Sequence, residues 1–110
     1  MIPSRYDMSI PGNQVKLEAA DALGRLAEES GMTLIEMALA FVITHPAVTA
    51  AIIGPRTMEQ LESQLPALET KLSAEVLDRI DEIVPPGTNV NQNDTGWDPP
   101  WLTDSSQRRR

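Results

Sequence analysis

The sequence predicts an α/β chain that is mostly helical and holds a single strand. Three observations predict it. Four stretches repeat their apolar residues at helical spacing behind recognisable caps. One short run, residues 47–53, is continuously apolar and partly β-branched, with turn formers on both sides. The flanks, residues 1–12 and 85–110, are polar and carry no period.

Residues 1–12 read as a leading loop, because Pro3, Ser4, Pro11 and Gly12 are turn formers. A first helix is expected to start near Asn13 as N-cap. Ala19, Ala20, Leu23, Leu26 and Ala27 give its buried face, and Gly31 after Ser30 stops it. Thr33 and Glu36 form a capping box for the second helix. Leu34, Met37, Ala38, Phe41 and Val42 are its expected inward residues, and Pro46 ends it near His45.

Ala47-Val48-Thr49-Ala50-Ala51-Ile52-Ile53 then reads as a strand buried on both faces, closed by Gly54-Pro55. Thr57 and Gln60 make a second capping box, with Met58, Leu61 and Leu65 inward and Pro66 ending that helix early. Ser73 caps the last helix, and Leu72 and Leu77 form a hydrophobic staple. Val76, Leu77, Ile80, Ile83 and Val84 give its stripe, and Pro85-Pro86-Gly87 stops it. Residues 85–110 read as an irregular tail. One buried strand without partners leaves its ladder groups unpaired. The simplest resolution is that its partners lie outside this chain.

Composition narrows the function. A net charge of −7 argues against nonspecific nucleic-acid binding, which needs a basic face. With no cysteine, disulfides and thiolate metal sites are excluded, which fits a reducing cytoplasm. Residues 1–10 hold no apolar core of a signal peptide, and residues 47–53 are far short of a bilayer span. A cytoplasmic chain without membrane contact is expected. The acidic residues are scattered without metal spacing, so no metal site is expected. Asn89, Asn91, Asn93 and Asp94 loosely suggest a calcium loop, but the required glycine and terminal glutamate are not in register.

The informative stretch is Ile52-Ile53-Gly54-Pro55-Arg56-Thr57-Met58-Glu59-Gln60-Leu61. A helix N-terminus presents unpaired N–H groups and a partial positive charge, which suits an anion. Gly54 lets a ligand approach the backbone. Arg56 suits a phosphate monoester, and Gln60 can reach a ribose or adenine edge. The plainer alternative is a solvated arginine beside a structural cap.

This stretch is similar to the last barrel strand and following helix of the aldo-keto reductases. Leu26-Ala27-Glu28-Glu29-Ser30-Gly31-Met32-Thr33-Leu34 and His45-Pro46-Ala47-Val48-Thr49 resemble that family's preceding helical region. Leu72-Ser73-Ala74-Glu75-Val76-Leu77 resembles its closing helix. The resemblance covers about residues 13–84. It implies the C-terminal portion of a (β/α)8 TIM barrel, from a reductase of aldehydes or ketones that uses NADPH. It implies cofactor binding at Gly54, Arg56, Gln60, Ser63 and Gln64, which hold the adenosine 2′-phosphate end of NADPH. Ser63 and Gln64 depart from the acidic residue and asparagine common there: Gln64 keeps an amide, and Ser63 is shorter. Arg5 resembles a loop arginine that touches the cofactor phosphates.

The family's catalysis uses a tyrosine acid, a lysine that lowers its pKa, an aspartate and a histidine. Tyr6, His45, Lys16 and Lys71 do not stand in that context, so no catalytic residue is assigned. The expectation is a fragment that reduces no carbonyl by itself and is poorly folded or self-associated. Its partner would be the missing barrel portion, as from a split gene. The alternative is a free-standing helical module that binds a protein partner. Trp97 and Trp101 are read as anchors of the tail or covers of a pocket.

Overall fold

A computed structural model describes residues 2–97, 104 and 106. Trp101 lies outside the described residues. Among the described residues four α-helices form: α1 (Pro11–Glu29), α2 (Leu34–Ile43), α3 (Met58–Gln64) and α4 (Ala74–Ile83). Short 3-10 turns cover Pro3–Tyr6, Leu65–Leu68 and Gln92–Asp94.

Helix α1 starts before Asn13. Ile10 is its extended N-cap, and Pro11 fills the first position, where a missing N–H costs nothing. At the other end Gly31 takes φ +74. The Met32 N–H then donates to the Ala27 carbonyl (3.0 Å) and the Gly31 N–H to Glu28 (3.0 Å), a Schellman closure.

The turn delivers the chain to α2 through a complete capping box. The Thr33 hydroxyl accepts from the Glu36 N–H (3.2 Å), and the Glu36 carboxylate accepts from the Thr33 N–H (2.6 Å). Met37 and Ala40 are buried and Phe41 half-buried. Leu34, Ala38 and Val42, expected inward, are exposed. Helix α2 packs against α1, α3 and the Leu65–Leu68 turn, and these contacts set its buried face at Met37 and Ala40.

No strand is present among the described residues. The expected α/β class, with a barrel-type strand in part of a (β/α)8 barrel, is therefore overturned: the regular structure is helical. Residues 48–55 are irregular, and no hydrogen bond reaches the backbone of 49–54 among the described residues. The physical reason is that a strand is a relation between two segments. The apolar run sets a local tendency, but among the described residues no second extended segment pairs with it. Ile52 is fully exposed rather than buried on both faces.

Thr57 caps α3 through the Gln60 N–H (3.2 Å), and Pro66 turns the chain into the Leu65–Leu68 turn after only 7 helical residues. Met58 and Leu65 are exposed; Ala67 takes the buried place instead. Ser73 caps α4, and Leu77 and Ile80 are buried. The core is Leu26, Ala27, Met37, Leu77 and Ile80, joining α1, α2 and α4. Leu72, Val76 and Ile83 pack on it, as the staple and stripe require.

The leading segment and residues 91–94 meet at α1. Asn13, only 1% exposed, donates through Nδ2 to the Ser4 and Asp7 carbonyls (both 2.8 Å). Its Oδ1 accepts from Asn91 Nδ2 (3.2 Å). Asp94 pairs with Arg5 (3.4 Å) and with Lys16.

The Thr33 backbone and side-chain hydrogen bonds hold the Glu36 carboxyl below its ordinary pKa. A lowered folded pKa gives stability that is present above the unfolded pKa and is lost as pH falls through the folded one. Stability measured by urea unfolding should therefore fall on the acid side of the ordinary carboxylate range. Glu36→Gln should flatten that acid limb. Thr33→Ala should cost about 1 kcal/mol at neutral pH. An unchanged acid limb in Glu36→Gln would remove Glu36 from the account.

Candidate functional site

The site expected from the sequence lies where the extended segment enters α3. Gly54 has open space around it and an ordinary negative φ. Its lack of a side chain is thus not required by any neighbour within this chain. Pro55 donates no hydrogen bond, so the first donor of the turn is the Arg56 N–H. The Gln60 side chain takes it: Oε1 accepts from Arg56 N at 2.8 Å. The expected capping box is shifted by one residue, because Gln60 reaches Arg56 rather than Thr57. Thr57 still receives the Gln60 N–H, so the two ends of the first turn hold each other.

This arrangement leaves the Arg56 guanidinium exposed beside the start of α3, with no ion pair among the described residues. The Met58 and Glu59 N–H groups open the helix. Glu59 places a carboxylate in the same turn, which opposes an anion there. Arg56 therefore carries the attraction. Gln60 has committed its oxygen to the backbone, and its amide donors remain.

The other two residues sit one turn on. The Ser63 hydroxyl donates to the Gln60 carbonyl (2.9 Å), so it is spent within the helix. Gln64 is half-buried, and its Oε1 is buried without a hydrogen-bond partner among the described residues. A buried, unpaired acceptor is costly, and a donor arriving there would relieve it. Gln64 lines a mainly apolar groove of about 300 Å³ with Leu39, Ile43, Ala51, Ile53 and Leu65. The structure thus brings Arg56 and Gln60 together and sets Gln64 against a groove.

Residues named for catalysis in the resemblance are dispersed. Tyr6 is exposed in the Pro3–Tyr6 turn. His45 follows α2, and its Nδ1 accepts from the Ala47 N–H (3.1 Å), bending the chain at Pro46. Lys16 is occupied by Asp94, and so is Arg5, the proposed phosphate arginine. Among the described residues no group of three or more His, Asp or Glu is arranged to hold a metal. No described helix is long and apolar enough to cross a membrane. Sequence reasoning missed the Gln60–Arg56 bond. The signal was there: Pro55 leaves Arg56 as the first donor, one helical turn from an amide.

The aldo/keto reductase family profile matches residues 3–85. An uncharacterized oxidoreductase of Bacillus subtilis, YrpG, is 44% identical over 60 residues, 54% of this chain and 18% of that protein. A protein of Schizosaccharomyces pombe, provisionally named as a voltage-gated potassium channel subunit beta, is 32% identical over 79 residues, 70% of this chain and 23% of that one. Protein tas of Escherichia coli is 35% identical over 66 residues, 60% of this chain and 19% of its own. The matches span about a fifth of the length of these relatives. No solved structure matches the chain.

The reciprocal hold at the turn has a direct readout. Replacing Gln60 by Ala should speed amide exchange at Arg56 by roughly tenfold, about the net worth of one hydrogen bond. Exchange of the Gln60-position amide, held by Thr57, should change little. Thr57→Ala should reverse the pattern. Equal effects of both variants at both amides would mean that α3 frays as a whole.

Proposed function

The chain belongs to the aldo/keto reductase family, and from that premise we propose that it supplies the part of an NADPH-dependent reductase that holds the cofactor's adenosine end. The observation that carries this reading is the free guanidinium of Arg56 inside the family-matched segment, beside the first turn of α3. Arg56 engages the 2′-phosphate, for which a planar fork of donors is suited. Gln60 offers its remaining amide donors to the ribose. Gln64, on turning its amide out of the groove, gives Oε1 to the adenine amino group, which supplies the donor that this buried oxygen lacks. Gly54 leaves room for the ligand to lie against the backbone. Ser63 contributes through the turn, since its hydroxyl is already bonded.

When bound, the cofactor supplies the hydride for carbonyl reduction. This chain's residues bind and orient its far end. No residue here is assigned to proton donation, and the whole protein's activity belongs to the longer relatives' scale of chain. Residues 13–84 form the reductase part in this reading, with 1–12 and 85–110 flanking it.

A second reading is favoured by one observation: α1, α2 and α4 enclose a core of their own. On that reading the chain is a free-standing helical module for a protein partner. A sharp, cooperative melt of a monodisperse monomer that binds no nicotinamide nucleotide would favour it.

The primary test is calorimetric titration of the chain with NADPH and with NADH. NADPH should bind more tightly, and Arg56→Ala should weaken it by about 1.5–3 kcal/mol, roughly one to two decades. NADH should be little affected. Equal loss for both would move Arg56 to a shared part of the cofactor, and no loss for either would return it to a solvated surface charge. The purified chain, freed of host reductases, should oxidise no NADPH in the presence of aldehydes or ketones. Turnover above a heat-killed control would overturn the assignment of no catalytic residue.

A further inference from the structure

Among the described residues, 91–95 and the leading segment 4–10 are held to the first half of α1 mainly by polar contacts, with Ile10 half-buried among them. The core residues Leu26, Ala27, Met37, Leu77 and Ile80 all lie elsewhere. Of the apolar side chains near this junction, Ile2, Tyr6, Met8, Val15, Leu17 and Val90 are exposed, and Ile10 is half-buried. Little apolar burial therefore opposes opening here, and a region of that kind opens at lower cost than the core.

The polar contacts are shared rather than parallel. Asn13 holds Ser4 and Asp7 with its nitrogen and Asn91 with its oxygen. Asn91 in turn fixes its own turn, its Oδ1 accepting from the Asn93 N–H (3.0 Å). Asp94 adds a second link, one carboxylate oxygen to Arg5 and the other to Lys16. Arg5 also donates to the Asp94 carbonyl (3.3 Å), and Lys16 to the Arg5 carbonyl (3.2 Å). Losing either end removes partners from the other.

We propose that residues 91–95 are a latch that closes on the leading segment and opens together with it, while the helical body stays folded. The amide pair Asn13–Asn91 is its buried clasp. The Arg5–Asp94–Lys16 ion pairs are its outer edge, partly exposed and so weakened by salt. Ionic strength thus sets how far the latch is open, and opening uncovers Arg5 and Lys16 together.

Gly12 provides a probe that removes no polar group. A Cβ there would lie 2.9 Å from Asn91 Oδ1, an atom fixed by the Asn93 N–H. Alanine is also the better helix former at this position. Gly12→Ala should therefore favour α1 while forcing the latch off. Hydrogen exchange of the whole chain reads the result. The Ile10 amide (bonded to Asp7), the Asp94 amide (to Asn91) and the Thr95 amide (to Gln92) report the latch. Met32 (to Ala27) and Leu77 (to Ser73) report the body. The latch amides should speed up together by roughly tenfold, about the loss of one net hydrogen bond, with the body amides unchanged. Raised NaCl should move the wild type the same way. Acceleration at Asp94 and Thr95 with Ile10 unchanged would overturn the proposal, because the ends would then be independent. Acceleration at Met32 and Leu77 as well would overturn it too, because opening would then be global. If Gly12→Ala gives no soluble protein, Asp94→Asn measured the same way decides.

Discussion

How closely α1 can approach α2 and α4 governs the helical body. Ala27 is fully buried where α1 meets the other two helices, and Leu26 beside it belongs to the same core. A larger side chain at Ala27 would push the helices apart, and the core is too small to absorb the strain elsewhere. The Gly31 turn matters for the same reason. It turns the chain only four residues after Ala27, so α2 begins already alongside α1. Met37 then reaches the pocket that Leu77 and Ile80 close from α4.

What could be read in the sequence was local. The Thr33, Thr57 and Ser73 caps, the Gly31 stop and the break at Pro66 each depend on a few neighbouring residues, and each stands where the pattern put it. What could not be read depends on distant parts of the chain. The inward face of α2 is set by the elements packed around it, so Leu34 and Val42 are exposed despite fitting the helical template. The apolar run at 47–53 has the composition of a buried strand but no partner to pair with among the described residues. Asn13 looked like a cap because its residue type caps well. Its partners Ser4, Asp7 and Asn91 draw it inward instead.

The candidate site shows the same division. The helix that follows Arg56 and its cap at Thr57 were legible, whereas the run before them was read as a strand and is irregular. The use of the Gln60 oxygen and the Ser63 hydroxyl within the chain was not, since both bonds depend on rotamers rather than residue types. Gln64 was named from the sequence for its amide, and the structure adds that its oxygen is buried without a donor among the described residues. The family match adds kinship, and the chemistry at each atom comes from the geometry.

The unpaired backbone between α2 and α3 has a further consequence. Residues 49–54 are accessible and unbonded, the condition in which a loop can settle into a protease cleft. A single nick there would part α1 and α2 from α3 and α4 covalently. It would not part them physically, because Leu26, Ala27 and Met37 on one side of the cut share a core with Leu77 and Ile80 on the other. The two pieces would travel as one particle through a sizing column and separate only in denaturant, so that backbone continuity and structural unity come apart at this loop.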